Sequence, residues 1–343
     1  MARRSLPSIV SRRLLVAMPT LLGAIIITFV LTRGLPGDPA AYFVGGSDTS
    51  YDAIEAMRRK LGLDRSLPEQ FFIYLGELLR GDLGQSLTTG QPVLGDLIDR
   101  LPASLELTIV AFAMAAAISL PLGIVAATRP GSWIDSVCRL VSTLGVSLPT
   151  FFTGLLLIYV FYYLLGWAPA PVGRLDPFMA PPATLTGFLL VDTLITGNLA
   201  AFWSTLGKIL LPAATMAIFT LAPLARMTRA AMLGVLSADF VRTARALGLP
   251  PRRVLYTYAL RNALLPITTT LGMVFSYMLG ANVLVEKVFS WPGIGSYALN
   301  ALVANDYAPV QGFVLMMSVV FVLINLVVDV LYTVIDPRIG LDG

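Results

Sequence analysis

The chain has no histidine, a single cysteine and very little charge. Without histidine there is no Ser-His-Asp or Cys-His catalysis, no His-ligated zinc and no imidazole proton relay. One cysteine, Cys138, excludes an internal disulfide framework and reads as a buried or interfacial thiol. Only 13% of the 343 residues are charged and 56% are hydrophobic, whereas a soluble domain carries about 25% charge. Length alone allows about two globular domains. The charge deficit excludes that reading, because a soluble fold of this size cannot hide so much apolar surface. It also excludes disorder.

What is present is a set of long apolar runs. Six windows contain no Asp, Glu, Lys or Arg: Leu14–Thr32, Leu107–Thr128, Leu140–Leu165, Ile209–Ala225, Asn262–Val285 and Tyr307–Val328. Each is long enough for a spanning helix, which needs about 20 apolar residues. The expected fold is an all-α polytopic membrane protein with six transmembrane helices. Asp192 cuts a seventh stretch, Pro177–Gly207, into halves too short to cross, which reads as interfacial or re-entrant. Arginine placement sets orientation. Arg3, Arg4, Arg12 and Arg13 precede the first window, and Arg129 and Arg139 lie in the second-to-third loop. Seven arginines lie between the fourth and fifth windows, against one acid, Asp239. These segments, and a tail with Arg338, are expected in the cytoplasm. The opposing short loops hold only Arg174, Lys208 and Lys287. Residues 34–100, with ten acids and six bases, are expected outside. The first window exceeds the usual signal-peptide core, and Arg33-Gly34-Leu35 is no small-x-small cleavage site, so it reads as a permanent anchor.

The outer segment carries helix signals. Asp52–Leu63 places Ile54, Met57 and Leu61 on one face, and Ser66 with Pro68 marks a second helix start. Phe71, Phe72, Leu75, Leu78 and Leu79 form its apolar face, for packing on the chain's own spans or on a partner. Trp133, Trp167, Trp203 and Trp291 fall at expected span ends or in outer loops, as an aromatic belt requires.

The segment 237–251 stands out. Ser237 or Asp239 is placed to cap a helix, Gly248 to end it in a left-handed turn, and Pro250-Pro251 to stop it. Phe240, Val241, Ala244 and Leu247 share one face; Arg242 and Arg245 lie on another. About two turns are too few for an independent helix. A short capped helix with an apolar knob suits a groove on a soluble partner. The positive-inside rule explains the arginines, but not the cap, the face or the stop.

Eight blocks in order now carry a resemblance: LPGDPA (Leu35–Ala40), GDLGQSLTTGQPV (Gly81–Val93), RLPASLELT (Arg100–Thr108), DFVRTARALGL (Asp239–Leu249), YALRNALLP (Tyr258–Pro266), VEKVFSWPGIG (Val285–Gly295), DYAPVQG (Asp306–Gly312) and DVLYTVIDPRI (Asp329–Ile339). The chain resembles the B-type permease subunits of dipeptide/oligopeptide ABC importers. It departs from the general EAA pattern at Arg242-Thr243-Ala244, retains the glycine as Gly248, and has Tyr258 where the family usually has histidine.

The resemblance implies the type I importer permease fold, in the bacterial inner membrane, with both termini cytoplasmic. Residues 1–33 would be the N-terminus and first span, 34–100 the extracytoplasmic segment, 101–335 the five-span permease domain and 336–343 a tail. It implies four kinds of partner: a second homologous permease subunit, two ABC ATPases, an extracytoplasmic substrate-binding protein and membrane lipid. The coupling helix would be Asp239, Phe240, Val241, Arg242, Thr243, Ala244, Arg245, Ala246, Leu247 and Gly248. ATP and magnesium would belong to the ATPases. The chain has no G-x-x-x-x-G-K-[ST] loop, since Gly207-Lys208 lacks the upstream glycine and the following Ser/Thr. No catalytic residue, cofactor, metal or nucleic acid is expected. Peptides are the expected cargo, with nickel complexes, glutathione and haem as alternatives within the family.

Charge near the spans is sparse. Glu106, Glu286, Asn325 and Asp329 are the candidates for gating or interhelical hydrogen bonds, and Asn325 and Asp329 lie one helical turn apart. Pro121, Pro149, Pro212, Pro223 and Pro266 mark possible bends. A secondary transporter would need ionisable groups near the midplane. A membrane enzyme would need clustered carboxylates, and the outer acids are scattered. With almost no fixed counter-charge along the path, cargo specificity is expected in the external binding protein.

Overall fold

The computed structural model describes residues 6–34, 39–44, 50–145 and 147–335; the side chains of 6–14, 39, 42, 43, 144, 329 and 331–335 also lie outside the described residues. Fourteen α-helices follow one another among them, with no strand. They are α1 (Leu6–Gly34), α2 (Pro39–Val44), α3 (Tyr51–Lys60), α4 (Leu67–Leu79), α5 (Val93–Thr128), α6 (Trp133–Leu144) and α7 (Thr150–Leu157), which runs on as a π-helix to Leu164. Then come α8 (Leu189–Ile195), α9 (Leu199–Leu236), α10 (Asp239–Ala246) and α11 (Pro251–Arg253). A second π-turn, Val254–Leu260, joins α11 to α12 (Arg261–Val288), followed by α13 (Ile294–Val303) and α14 (Tyr307–Ile335).

Five of these are long and apolar enough to cross a membrane: Leu15–Gly34, Val93–Thr128, Leu199–Leu236, Pro251–Val288 and Tyr307–Val328. The 36 residues of α5 and 38 of α9 extend well past the charge-free windows. At 1.5 Å per residue each exceeds 50 Å, against a hydrocarbon core of about 30 Å. Charge ends a hydropathy window, but it does not end a helix.

The third window is divided, which corrects the expectation of one helix from Leu140 to Leu165. The α6 helix stops at Leu144, and α7 starts only after Pro149, which sits at its N-cap instead of bending a span. Proline pushes the preceding residue out of helical geometry, so a break here is intrinsic. The remaining apolar helix, Thr150–Leu164, is about 22 Å long. The Pro177–Gly207 stretch is also redistributed. Asp192 lies in α8, and residues from Leu199 onward are the first turns of α9.

The core forms where α5 meets α9. Ala103, Leu107, Ala111, Ala115, Ser119 and Gly123 recur every fourth position and are all buried. Such small residues let helix backbones approach closely, which drives association in lipid better than apolar bulk does. Ile209, Ala213, Met216, Ala217 and Leu224 of α9 fill the opposite side. A Cβ on Gly123 would sit 2.7 Å from Thr228 Cβ of α9.

The outer helices pack on the chain itself. Phe29 of α1 meets Phe71 and Tyr74 of α4, with ring centroids 5.2 and 5.9 Å apart. Phe72 and Leu79 point away and are exposed, so the expected apolar face of α4 is split. The helix starts at Ser66 and Pro68 as the sequence predicts, and Glu69 completes a capping box with Ser66 that lies beyond that expectation. The tail 336–343, Arg3, Arg4, and residues 35–38 of the LPGDPA block lie outside the described residues.

Candidate coupling and interhelical sites

The 237–251 segment folds as a helix with a defined root. Its start differs from expectation: Ala238 is the N-cap, Ser237 closes α9, and Asp239 is the first residue of α10 with no side-chain cap. Asp239 instead faces Arg242 at 3.3 Å, with both side chains more than three-quarters exposed, a weak pair. The end matches expectation. Gly248 has φ +75°, its N–H donates to Arg245 O at 2.9 Å, and Leu249 N–H donates to Ala244 O at 3.3 Å. This is a Schellman closure, with Leu249 packing back near Ala244. A side chain at Gly248 would have space, so the left-handed backbone alone demands glycine.

The four apolar residues do not act together. Val241 and Ala244 are buried and pack with Val254, Val235, Leu236 and Tyr258. Phe240 and Leu247 are 44% and 75% exposed. Two residues therefore hold the helix to its own chain, and two are left to face outward. Arg242, Thr243, Arg245 and Ala246 are exposed around them. Beside α10 lies a cavity of about 820 Å³ whose rim includes Arg129, Arg245 and Arg252 over Leu236, Leu249 and Leu255.

One turn-rich contact ties the same end together. Asp135 of α6, fully buried, accepts from Arg229 Nε and Nη2 of α9 at 2.5 and 3.1 Å. It also accepts from Gly131 N at 2.9 Å and Arg139 Nη1 at 3.3 Å. The Arg229 hydrogen bond, then that from Gly131, holds the Asp135 carboxyl down to about 2. Arg229 lies two turns before the end of α9, so this pair clamps the stem of α10. The sequence reading passed over it, although a lone acid in a basic loop with arginine four residues on was a usable signal.

The opposite end holds a buried polar network around Glu106 and Glu286. Glu106 Oε2 accepts from Arg174 Nη2 at 2.6 Å and its Oε1 from Leu190 N at 2.7 Å. Glu286 Oε1 accepts from Ser104 Oγ at 2.5 Å and Asn282 Nδ2 at 3.0 Å; its Oε2 accepts from Ser296 N at 2.8 Å. Ser104 Oγ in turn accepts from Ile294 N at 2.9 Å. Trp291 is 1% exposed and donates from Nε1 to Ala103 O at 2.9 Å. It is thus a core residue and not a belt residue, while Trp133, Trp167 and Trp203 are exposed as expected. The turn needs glycine at 293, where a Cβ would collide with Glu286 Oε1 and Ser104 Oγ. The network joins α5 and α12 to the segments around Arg174 and Trp291.

Nearby, Asp192 acts as a loop clasp. Burial opposes its charge, but donors on Thr186 and Gly187 outweigh that and hold its carboxyl below the ordinary value. Asn325 is exposed and bonds only to its own helix, Nδ2 to Phe321 O at 2.9 Å, so it does not join the network. The side chain of Asp329 lies outside the described residues. Cys138 is buried as expected. Between α9 and α12 runs an apolar groove of about 620 Å³, lined by Phe219, Pro223, Met273 and Tyr277 among others. Met273 and Tyr277 are 70% and 59% exposed on it.

An all-helical bundle with five membrane-length helices among the described residues defines a class of protein, the polytopic helical membrane proteins. Residues 119–341 match the family described as binding-protein-dependent transport system inner membrane component, and residues 6–108 match its N-terminal family. The chain belongs to this family and is a multi-pass inner-membrane permease component. It is 45% identical to the probable D,D-dipeptide transport system permease protein DdpB of Escherichia coli K12, covering 94% of each chain. It is 41% identical to the di/tripeptide transport system permease protein DppB of Pseudomonas aeruginosa, covering 97% of this chain and 98% of that one. The dipeptide transport system permease protein DppB of Escherichia coli K12 is 38% identical, over 96% and 97%.

Proposed function

We propose that this chain is one half of the membrane path of an ATP-driven importer of short peptides, and that α10 is its coupling helix. The observation that carries the coupling is the division of labour within α10. Val241 and Ala244 root it, Gly248 ends it, and Phe240 and Leu247 stand exposed among arginines. A helix too short to persist alone is thereby held rigid enough to transmit force, with an apolar tip ready for a groove on a soluble motor. The arginine-rimmed cavity beside it suits acidic groups on that motor.

The partners follow. Two ABC ATPases supply ATP and magnesium, and an extracytoplasmic binding protein delivers the cargo. A second homologous permease covers the apolar groove between α9 and α12. Thr150–Leu164 completes a sixth crossing, shortened because the chain becomes helical only after Pro149, and places both termini in the cytoplasm. The domain limits are those read from the sequence, 1–33, 34–100, 101–335 and 336–343. Peptide cargo is supported by the names of the relatives. The groove offers Arg226 as its one charged wall residue, which suits transient passage, with specificity set by the binding protein. ATP binding then shifts the bundle between its two access states through α10.

The test is Gly248→Val. A β-branched residue resists the left-handed turn, so α10 should lose its closure. Uptake is expected to be abolished, with subunit assembly and ligand capture by the binding protein retained. Wild-type uptake by this variant would overturn the assignment.

A further inference from the structure

The α4 helix is amphipathic, and the chain itself covers only part of its apolar side. At about 100° per residue, Pro68, Phe72, Leu75 and Leu79 fall in one stripe, and Leu67, Phe71, Tyr74 and Leu78 in the stripe beside it. Further round the helix, Gln70, Ile73, Tyr74 and Glu77 line a cavity shared with Tyr307 and Gln311 of α14. The middle stripe is used, since Phe71 and Tyr74 meet the Phe29 ring of α1. The first stripe is open: Phe72 is 70% and Leu79 83% exposed.

The same order recurs on α1. On one side of Phe29, Thr28 and Thr32 are buried, and Thr32 Oγ1 accepts from Gln311 Nε2 of α14 at 2.8 Å. On the other side, Ile26 and Val30 are 43% and 60% exposed. Both helices therefore pass from the α14 side, through their mutual contact, to open apolar side chains. The two open sides adjoin, so the bare stripe of α4 continues the bare flank of α1.

That flank has a known surrounding. Leu15–Gly34 is long and apolar enough to cross a membrane, and the exposed apolar side of a span faces lipid. Phe29 lies five residues before Gly34, about 7.5 Å inside the end of the span. A helix packed at this level lies at the boundary of headgroups and acyl chains, where interfacial helices bury an apolar face by about 5–10 Å. Arg65 and Arg80, exposed at the two ends of α4, suit the phosphates found there. An open apolar stripe alone would equally fit a protein partner; continuity with the lipid side of α1 selects the bilayer. We propose that α4 is an interfacial helix, with Phe72, Leu75 and Leu79 embedded in the leaflet at the Gly34 end of α1. The inference requires α1 to be a span, and it does not depend on the coupling role of α10 or on the cargo.

The test places a nitroxide on single cysteines in a Cys138→Ala chain, at Phe72→Cys, Leu79→Cys, Val30→Cys and Glu77→Cys. The full-length chain is read in nanodiscs of phosphatidylethanolamine and phosphatidylglycerol, both alone and assembled with its companion subunits. Collisions with oxygen, which dissolves among acyl chains, are compared with collisions with a water-soluble nickel chelate. In both preparations the labels at 72 and 79 should follow the label at 30, with an oxygen-to-nickel ratio several-fold above that at 77, an exposed position on the polar side. A nickel preference at 72 and 79 would overturn the proposal and leave a face open to water. Low access to both agents in either preparation would overturn it as well, because protein would then cover the face. Leu79→Cys, at the more exposed position, decides the matter if Phe72→Cys fails to fold.

Discussion

The two ends of the bundle are held by different means. At the end opposite α10, Glu106 and Glu286 are buried, and each oxygen of both carboxylates has a partner on another element or a neighbouring turn. At the α10 end a single acid, Asp135, clamps α6 to α9. Beyond it α10 hangs on two small apolar anchors, Val241 and Ala244. A dense polar network resists displacement, because any shift strands more buried donors and acceptors than the two, Arg174 Nε and Asn282 Oδ1, that already lack a partner. A helix rooted by two side chains is steady yet easily displaced by a partner. The contrast suits a protein in which force enters at one end.

Substitutions can break this comparison. Glu286→Ala should have the largest effect on stability, about 3 kcal/mol or more, because it leaves Ser104 Oγ and Ser296 N without this acceptor and takes one of three from Asn282 Nδ2. Thermal unfolding of the detergent-solubilised chain measures it, and a wild-type midpoint would show that the outer end is not over-determined. Val241→Ala should cost less, about 1.5 kcal/mol by loss of buried methyl groups, and should reduce uptake in proportion to the loss of α10 order read by hydrogen exchange. The Asp135 clamp should respond to acid. Its carboxyl pKa is depressed in the folded state, to about 2 from an ordinary 3.8. Its contribution is therefore complete above the ordinary value and is lost as pH falls from about 4 toward 2. An Asp135→Asn chain should lack that component of the acid transition, seen in unfolding midpoints across the window. Phe240→Ala should change stability least, within about 0.5 kcal/mol, yet still abolish coupled ATP hydrolysis. Stability loss comparable to Val241→Ala would mean that Phe240 is an anchor and not a contact.

Much of the fold was readable because the signals are local. Long charge-free runs marked the five membrane-length helices, while Ser66 with Pro68 marked the start of α4 and Gly248 the end of α10. The expected continuous helix from Leu140 to Leu165 is broken because hydropathy averages over a window and ignores the geometry that Pro149 imposes. Trp291 was misplaced for a related reason, since its position in the chain is that of a loop but its ring is buried on α5. The sequence groups Phe240, Val241, Ala244 and Leu247 on one face of α10, yet Val241 and Ala244 are buried while Phe240 and Leu247 are exposed, a split that periodicity does not encode.

The sequence by itself determined that the chain is helical, membrane-embedded, without its own phosphate loop, and equipped with one short helix that must stop at Gly248. Those properties follow from composition and from contacts within a few residues. Only the tertiary structure decided that Ser104 meets Glu286 across 182 positions, that Asp135 finds Arg229, and that α4 lies against Phe29 of α1. Pairings at such separation arise from how the helices pack, and no local pattern of residues encodes which side chains that packing will bring together.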